Sequence, residues 1–191
     1  VPSTADAGLD ADAAPEYPYT PPVEFGRHRI ELVDTRRIIP ADELPLEVLR
    51  MNSNNNLDVV RHSDGRVYLA WRSAPDHFAG PETVIQVMSS LDEQAWRFEG
   101  SFEMGTDLRE PRLLSLGDEL FLYISVLGVD RIAFEPMGVV YTERHEDGSW
   151  SELAPLSESE GVFAWRTRVE RGVPYMVAYR GGEHIYRFDG T

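Results

Sequence analysis

The chain contains no cysteine and no lysine. The first absence excludes disulfides and thiolate metal sites. The second makes all 18 basic residues arginines, the side chain best suited to forked recognition of carboxylates. Those 18 stand against 33 acidic residues, a net charge of −15, and a phosphate-binding surface needs a basic patch, so no nucleic-acid partner is expected. No apolar run approaches the roughly 18 residues of a membrane helix, so no membrane insertion is expected either. Gly-rich phosphate loops, nucleophile elbows and zinc-binding helices are missing. His28, His62, His145 and His184 are scattered without metal-ligand spacing, which predicts no metal site and no cofactor.

Residues 1–24 are rich in Ala, Asp and Pro and nearly free of aliphatic side chains. Such a segment cannot bury enough apolar surface to offset its ordering entropy and reads as a disordered linker. Tethers of this composition suit an exported bacterial protein, extracellular or periplasmic, with an N-terminal lipid tether as one form. Residues 27–39 alternate well enough to predict a strand, one that in a circular fold completes the last blade. Residues 40–51 are compatible with a short helical turn.

From residue 52 onward one pattern recurs. The stretches 57–72, 108–125 and 163–180 each carry an apolar run with charges, a tight polar turn (SDG, LGD, ERG) and a second run dense in aromatic and β-branched residues. The second runs start at Arg66, Glu119 and Val173, steps of 53 and 54 residues. A period near 50 built from strands indicates propeller blades. The predicted fold is all-β, a propeller of four-stranded antiparallel blades occupying 25–191. Blade one takes strands near 57–63, 66–73, 82–90 and 95–103; blade two 109–116, 119–127, 137–145 and 149–156; blade three 162–170, 173–180 and 183–188. That is about three blades, and closed propellers have four to eight. The chain therefore reads as part of a five- or six-bladed propeller whose remaining blades come from a longer protein or from other chains.

Charge on the innermost strand of a propeller is costly unless it is paired or functional. Asp58 begins the first such strand, Asp107, Arg109, Glu110 and Arg112 the second, and Arg166 and Arg168 lie on the third. Asp58 and Glu110 are the candidate catalytic carboxylates, because glycoside hydrolysis commonly uses two. Arg72, His77, Arg109, Arg112, Arg166 and Arg180 are the candidate substrate-binding residues, with arginines forking onto an acidic sugar. The competing expectation is purely structural ion pairing, Asp58 with Arg72 or Glu110 with Arg166. Trp71, Trp96, Trp150 and Trp165 read as packing between blades, Trp165 being the one placed to stack on a sugar.

The ordered segments NNNLDVVRHSDGRVYLAWRSAPDHF, SSLDEQAW, DLREPRLL and FAWRTRVERGVPYMVAYRGG resemble the bacterial sialidase-like (exo-α-sialidase-type, Asp-box) propeller family. SSLDEQAW and RHEDGSW resemble its Asp-box turns, in which an acidic side chain caps the turn and Trp packs between blades. Both copies depart from the pattern, with Gln94 in place of Gly and Arg144 in place of Ser. The resemblance implies six blades, an arginine triad on the substrate carboxylate, a glutamate-activated tyrosine nucleophile and an aspartate acid/base. It also implies a loop bordering the channel, here 72–82 with Asp76 and His77. The family's first-arginine motif is absent in recognisable form, and its tyrosine would fall beyond residue 191. The leading expectation is a glycoside hydrolase acting on acidic or decorated glycans. Two alternatives stand beside it: a five-bladed furanosidase-like hydrolase, and a non-catalytic glycan- or protein-binding propeller at the cell surface.

Overall fold

The structure is a computed structural model that describes residues 31–180 with their side chains and the backbone of 184–189. The predicted linker 1–24 lies outside the described residues. The chain divides into two units at Arg37/Ile38. Of the first unit, residues 31–37 are described and hold no strand. This corrects the expectation for 27–39 as far as it can be followed. Leu32 and Val33 are exposed, so no buried face exists to reward pairing.

The second unit contains eleven described strands: β1 (Ser53–Arg61), β2 (Val67–Ala74), β3 (Val84–Ser90), β4 (Arg97–Phe102), β5 (Asp107–Leu116), β6 (Glu119–Leu127), β7 (Pro136–Arg144), β8 (Ala154–Pro155), β9 (Val162–Glu170), β10 (Val173–Arg180) and β11 (His184–Asp189). They form antiparallel sheets in the orders β1-β2-β3-β4, β5-β6-β7-β8 and β9-β10-β11. This is the expected all-β blade pattern, part of a propeller. Sequential hairpins follow from turns rich in Gly and Asp; Gly65, Gly117 and Gly172 all take the positive φ that such turns require. β8 is shorter than expected. Pro155 has no N–H to donate, and upstream of β8 only an Arg144–Trp150 bridge continues the pairing.

Burial between sheets holds the blades. Tyr68, Ala70, Ile85 and Val87 of the first sheet pack on Leu108, Leu113, Leu120, Leu122 and Ile124 of the second. A smaller cluster of Val139, Val162, Ala164, Met176 and Ala178 joins the second sheet to the third. Each fully buried aliphatic side chain contributes about 1.5–3 kcal/mol. Residues 40–51 form turns rather than the expected helical turn, since Pro40 and Pro45 interrupt the helical bonding pattern and only Val48 N–H to Pro45 O (3.1 Å) closes a turn. Their job is to cover sheet one: Leu44 and Val48 pack on Leu69, Trp71 and Met88. Gln86 clamps them by accepting from Leu49 N–H (2.7 Å) and donating to its carbonyl (2.9 Å).

The turns after β3 and β7 cap themselves. Asp92 Oδ1 accepts the backbone N–H groups of Gln94 (2.9 Å) and Ala95 (2.8 Å), and Asp147 Oδ1 accepts that of Ser149 (2.9 Å). Trp150 then packs against the core between sheets one and two, edge-on to Phe102, its indole N–H donating to Glu99 O (3.2 Å). Trp71 and Trp96 instead pack where the 38–48 segment covers sheet one, not between blades.

Candidate functional site

The three first strands, β1, β5 and β9, lie side by side and carry one irregularity at equivalent positions. Each bulges against its hairpin partner: between Asn55 and Asp58 on β1, between Arg109 and Arg112 on β5, and at Trp165 on β9. Aligned by these bulges, Asp58, Arg112 and Arg166 occupy the same position, 54 residues apart each time. Asn56 (φ 50°) and Glu110 (φ 46°) are equivalent to each other and both sit in the left-handed region. Asn tolerates that conformation; Glu does so at a cost on the order of 1–3 kcal/mol, and strain of this kind concentrates at functional sites.

The bulges gather polar groups around an open cleft of about 510 Å3 whose walls include Asp58, Arg112, Trp165, Arg166 and Arg168. Asp58 Oδ2 accepts the Leu113 N–H (2.8 Å) from β5. Glu110 is engaged on both oxygens, Oε1 by Asn56 Nδ2 and Oε2 by Arg112 Nη2. Arg112 also donates from Nε to the Trp165 carbonyl (2.7 Å), tying β5 to β9. Arg166 is exposed, and its guanidinium has no hydrogen-bond or ion-pair partner among the described residues.

Burial raises the carboxyl of Asp58 above its ordinary range, against the pull of the Leu113 N–H, Arg112 and Arg166. Burial raises Glu110 as well; Arg112, Asn56 and Arg109 oppose it, while Asp58 adds to the rise. Burial thus disfavours the charged form of both carboxyls, and Glu110 also feels the charge of Asp58. Tyr179 also lies in the field of Glu110, but burial first and Glu110 second raise its hydroxyl, so it stays a phenol.

The remaining predicted residues divide. Arg109 joins the rim: its Nε donates to Asp107 Oδ2 (2.5 Å) and its Nη2 to the His77 carbonyl (3.0 Å). His77 is exposed, and its Nδ1 accepts from Asn55 Nδ2 (3.1 Å). Arg72 is fully buried, its Nε (3.3 Å) and Nη2 (2.9 Å) on Asp107 Oδ1 and its other donors on the carbonyls of Asp76 and Phe78 and the Thr83 hydroxyl. With all three guanidinium nitrogens engaged inside the fold and no exposed surface, it holds the 75–83 loop and does not line the cleft, in contrast to the ligand contact expected of it. Arg180 lies against Gly161, donates to Glu158 O (3.5 Å) and is not among the residues lining the cleft. Neither expected structural pairing forms, because Arg72 takes Asp107 and Glu110 takes Arg112.

Sequence reasoning missed Asn55 and Asn56, whose only signal was three consecutive asparagines at the head of an inner strand. The Oδ1 atoms of both are buried and accept no hydrogen bond among the described residues. A larger cleft, about 1060 Å3, opens at the opposite hairpin turns. Its buried carboxylate, Glu99, is neutralised by Arg97 (2.5 Å) and Arg144 (3.1 Å), which leaves the inner-strand cleft as the stronger candidate. Among the described residues no group of His, Asp and Glu is arranged to hold a metal ion, and no helix is long and apolar enough to cross a membrane.

Comparison with solved structures bears on the architecture. A Hadza microbial sialidase superposes with a TM-score of 0.55 at 12% identity over 65% of this chain. The fold is shared. The chain spans about a third, 32%, of the length of that sialidase. A Bacillus subtilis arabinanase matches over 71% of this chain and 72% of its own at 12% identity, with a TM-score of 0.32. No family model and no curated protein matches the sequence.

Proposed function

We propose that the protein is a carbohydrate-active propeller that hydrolyses glycosidic bonds of acidic glycans in the inner-strand cleft. The observation that carries this reading is a half-buried and a buried carboxyl, Asp58 and Glu110, both raised by burial, with Arg112 and the exposed Arg166 beside Asp58. Asp58 is the general acid: burial raises its carboxyl despite the Leu113 and Val59 backbone N–H groups, and it supplies the proton that goes to the departing glycosidic oxygen. Glu110 is the working carboxylate, held by Asn56 and Arg112 so that it faces the anomeric carbon, either as nucleophile or as the base for water. Arg166 pairs with the sugar carboxylate.

The sialidase fold neighbour and the sequence resemblance support the substrate class, with export as the accompanying proposal. A non-catalytic glycan-binding propeller is the second reading, favoured by the fact that Glu110 already has a donor on each oxygen.

Incubation of the full chain with fluorogenic sialoside, uronide and arabinofuranoside substrates tests the proposal. We expect turnover of an acidic substrate that falls about 100-fold or more in Asp58→Asn and in Glu110→Gln, in line with loss of acid–base catalysis. Arg166→Ala, a surface change worth within about 0.5 kcal/mol of stability, should raise KM for acidic substrates only. Binding without turnover selects the second reading, and neither binding nor turnover overturns both.

A further inference from the structure

Beside the carboxyl cluster lies an aromatic group that the reaction above does not use. Trp165 is 56% exposed and Phe134 54% exposed, although both contact other rings. Phe134 stacks on Tyr179 with centroids 6.4 Å apart and planes inclined by 19°, and meets Phe163 edge-on at 5.3 Å. Trp165 meets Tyr179 edge-on at 6.1 Å. Phe163 and Tyr179, 5.4 Å apart, form the floor, leaving Trp165 and Phe134 as the two accessible rings.

Two features connect these rings to the carboxyls. The carbonyl of Trp165 holds Arg112, whose other end holds Glu110. Tyr179 lies close enough to Glu110 for the carboxylate to affect its hydroxyl. The rings are also fixed rather than loose. Phe134 rides on the 128–136 loop, which Gly128 N–H to Glu135 O (3.0 Å) closes at its base and Asp130 Oδ1 braces at Ile132 N (2.9 Å). Arg131 of the same loop donates to Asp76 Oδ2 (2.9 Å) and lies 4.8 Å above the Phe78 ring, joining the loop to the His77 segment. Trp165 is the extra residue of the β9 bulge, which is what turns its side chain out of the regular alternation.

We infer that Trp165 and Phe134 form a stacking platform for a second sugar ring, so that the site takes a chain of at least two sugars, an acidic one at the carboxyl–arginine cluster and a neutral one against the aromatic rings. The inference rests on the glycan reading and adds its second subsite. Pyranose rings present an apolar C–H face, and carbohydrate and other ligand sites pair such apolar contacts with a few convergent polar groups. Exposed rings held in place lose little entropy on binding, and each buries a large area.

The test uses 3′-sialyllactose, free N-acetylneuraminate and lactose as probes in calorimetric titrations of the full chain. The trisaccharide is expected to bind about tenfold more tightly than the free acid, the scale of one or two aromatic contacts. Phe134→Ala should erase much of that ratio while leaving affinity for free N-acetylneuraminate unchanged; Trp165→Ala should lower the ratio as well, and Trp165→Tyr should keep it. On the wild-type chain, 3′-sialyllactose should also protect tryptophan emission from acrylamide, because Trp165 is the one exposed tryptophan among the described residues. A ratio near one, or a ratio that survives both alanine variants, overturns the platform and leaves the acidic-sugar reading standing. Failure of every probe to bind overturns both.

Discussion

Removing the carboxylate of Asp107 should cost more stability than almost any other single change near the site. Asp107 is fully buried and accepts four hydrogen bonds: Arg72 Nε (3.3 Å), Arg72 Nη2 (2.9 Å) and Thr83 Oγ1 (2.9 Å) on Oδ1, and Arg109 Nε (2.5 Å) on Oδ2. Without it the Arg72 guanidinium remains buried, with neutral carbonyls and a hydroxyl as its only partners. Breaking one side of a buried ion pair costs about 3–5 kcal/mol, out of a total of about 5–15 for a domain. At about 2–4 °C per kcal/mol for a chain of this size, Asp107→Asn should lower Tm by about 6–20 °C. Replacing both charges together, Arg72→Met with Asp107→Leu, removes the stranded cation and should cost well under the sum of the two single changes. Urea denaturation of wild type, Asp107→Asn, the two component single variants and the double variant checks this. A cost below about 1 kcal/mol for Asp107→Asn, or additivity in the double variant, would refute the reasoning, since either would mean that the buried pair does not anchor the loop. Freed of its anchor, Arg109 should also release the His77 segment, detectable as faster limited proteolysis between residues 75 and 79.

Two further predictions concern pH and backbone. Burial raises the Asp58 carboxyl, so folding favours its protonated form; the stability this provides is complete below the ordinary value of 3.8 and is lost as pH rises through the raised folded value. Asp58→Asn has no proton to lose and can still accept the Leu113 N–H, so its stability relative to wild type should increase between about pH 3 and about pH 7, and a decrease over that interval would sink the burial argument. Gly138 has φ +153°, and a Cβ there would meet the Ser159 carbonyl at 3.1 Å. Gly138→Ala should therefore cost about 1–3 kcal/mol by thermal or urea unfolding, and a neutral result would show that the β7–Ser159 approach relaxes freely.

The sequence made the strands legible because their signals are local. Alternating aliphatic and aromatic runs broken by SDG, LGD and ERG turns place ten of the strands within a few residues of their observed spans, and Pro155 explains the one that shrinks. The head of β1 was less readable: Ser53–Asn56 has poor strand propensity and pairs through a bulge that asparagine's tolerance of positive φ permits. At the site, charge on inner strands pointed to Asp58, Arg112 and Arg166, which line one cleft, and to Glu110, which Arg112 holds beside it. It could not separate Arg72 from them, because burial depends on the 75–83 loop folding back over that guanidinium, and nothing local in the sequence encodes that. Phe134 was equally hidden, since a loop residue carries no periodicity and its packing on Phe163 and Tyr179 is long-range.

The bulge is the feature that links the repeat to the chemistry. A regular strand would alternate its side chains evenly along the channel, and three regular strands 54 residues apart would merely place equivalent residues in register. The extra residue on each inner strand breaks that alternation at one level and puts the side chains at and after the bulge out of step with a regular strand. The blades spend this freedom differently: Asn56 and Asp58 on β1, Glu110 and Arg112 on β5, Trp165 and Arg166 on β9. The shared backbone distortion is what the fold repeats, and the side chains placed on it are not repeated at all. A structural role alone would favour one small, uncharged residue at all three positions. A carboxylate, an arginine held by a carboxylate, and an exposed arginine outside any described salt bridge at one level of one cleft are instead what an asymmetric, acidic ligand requires.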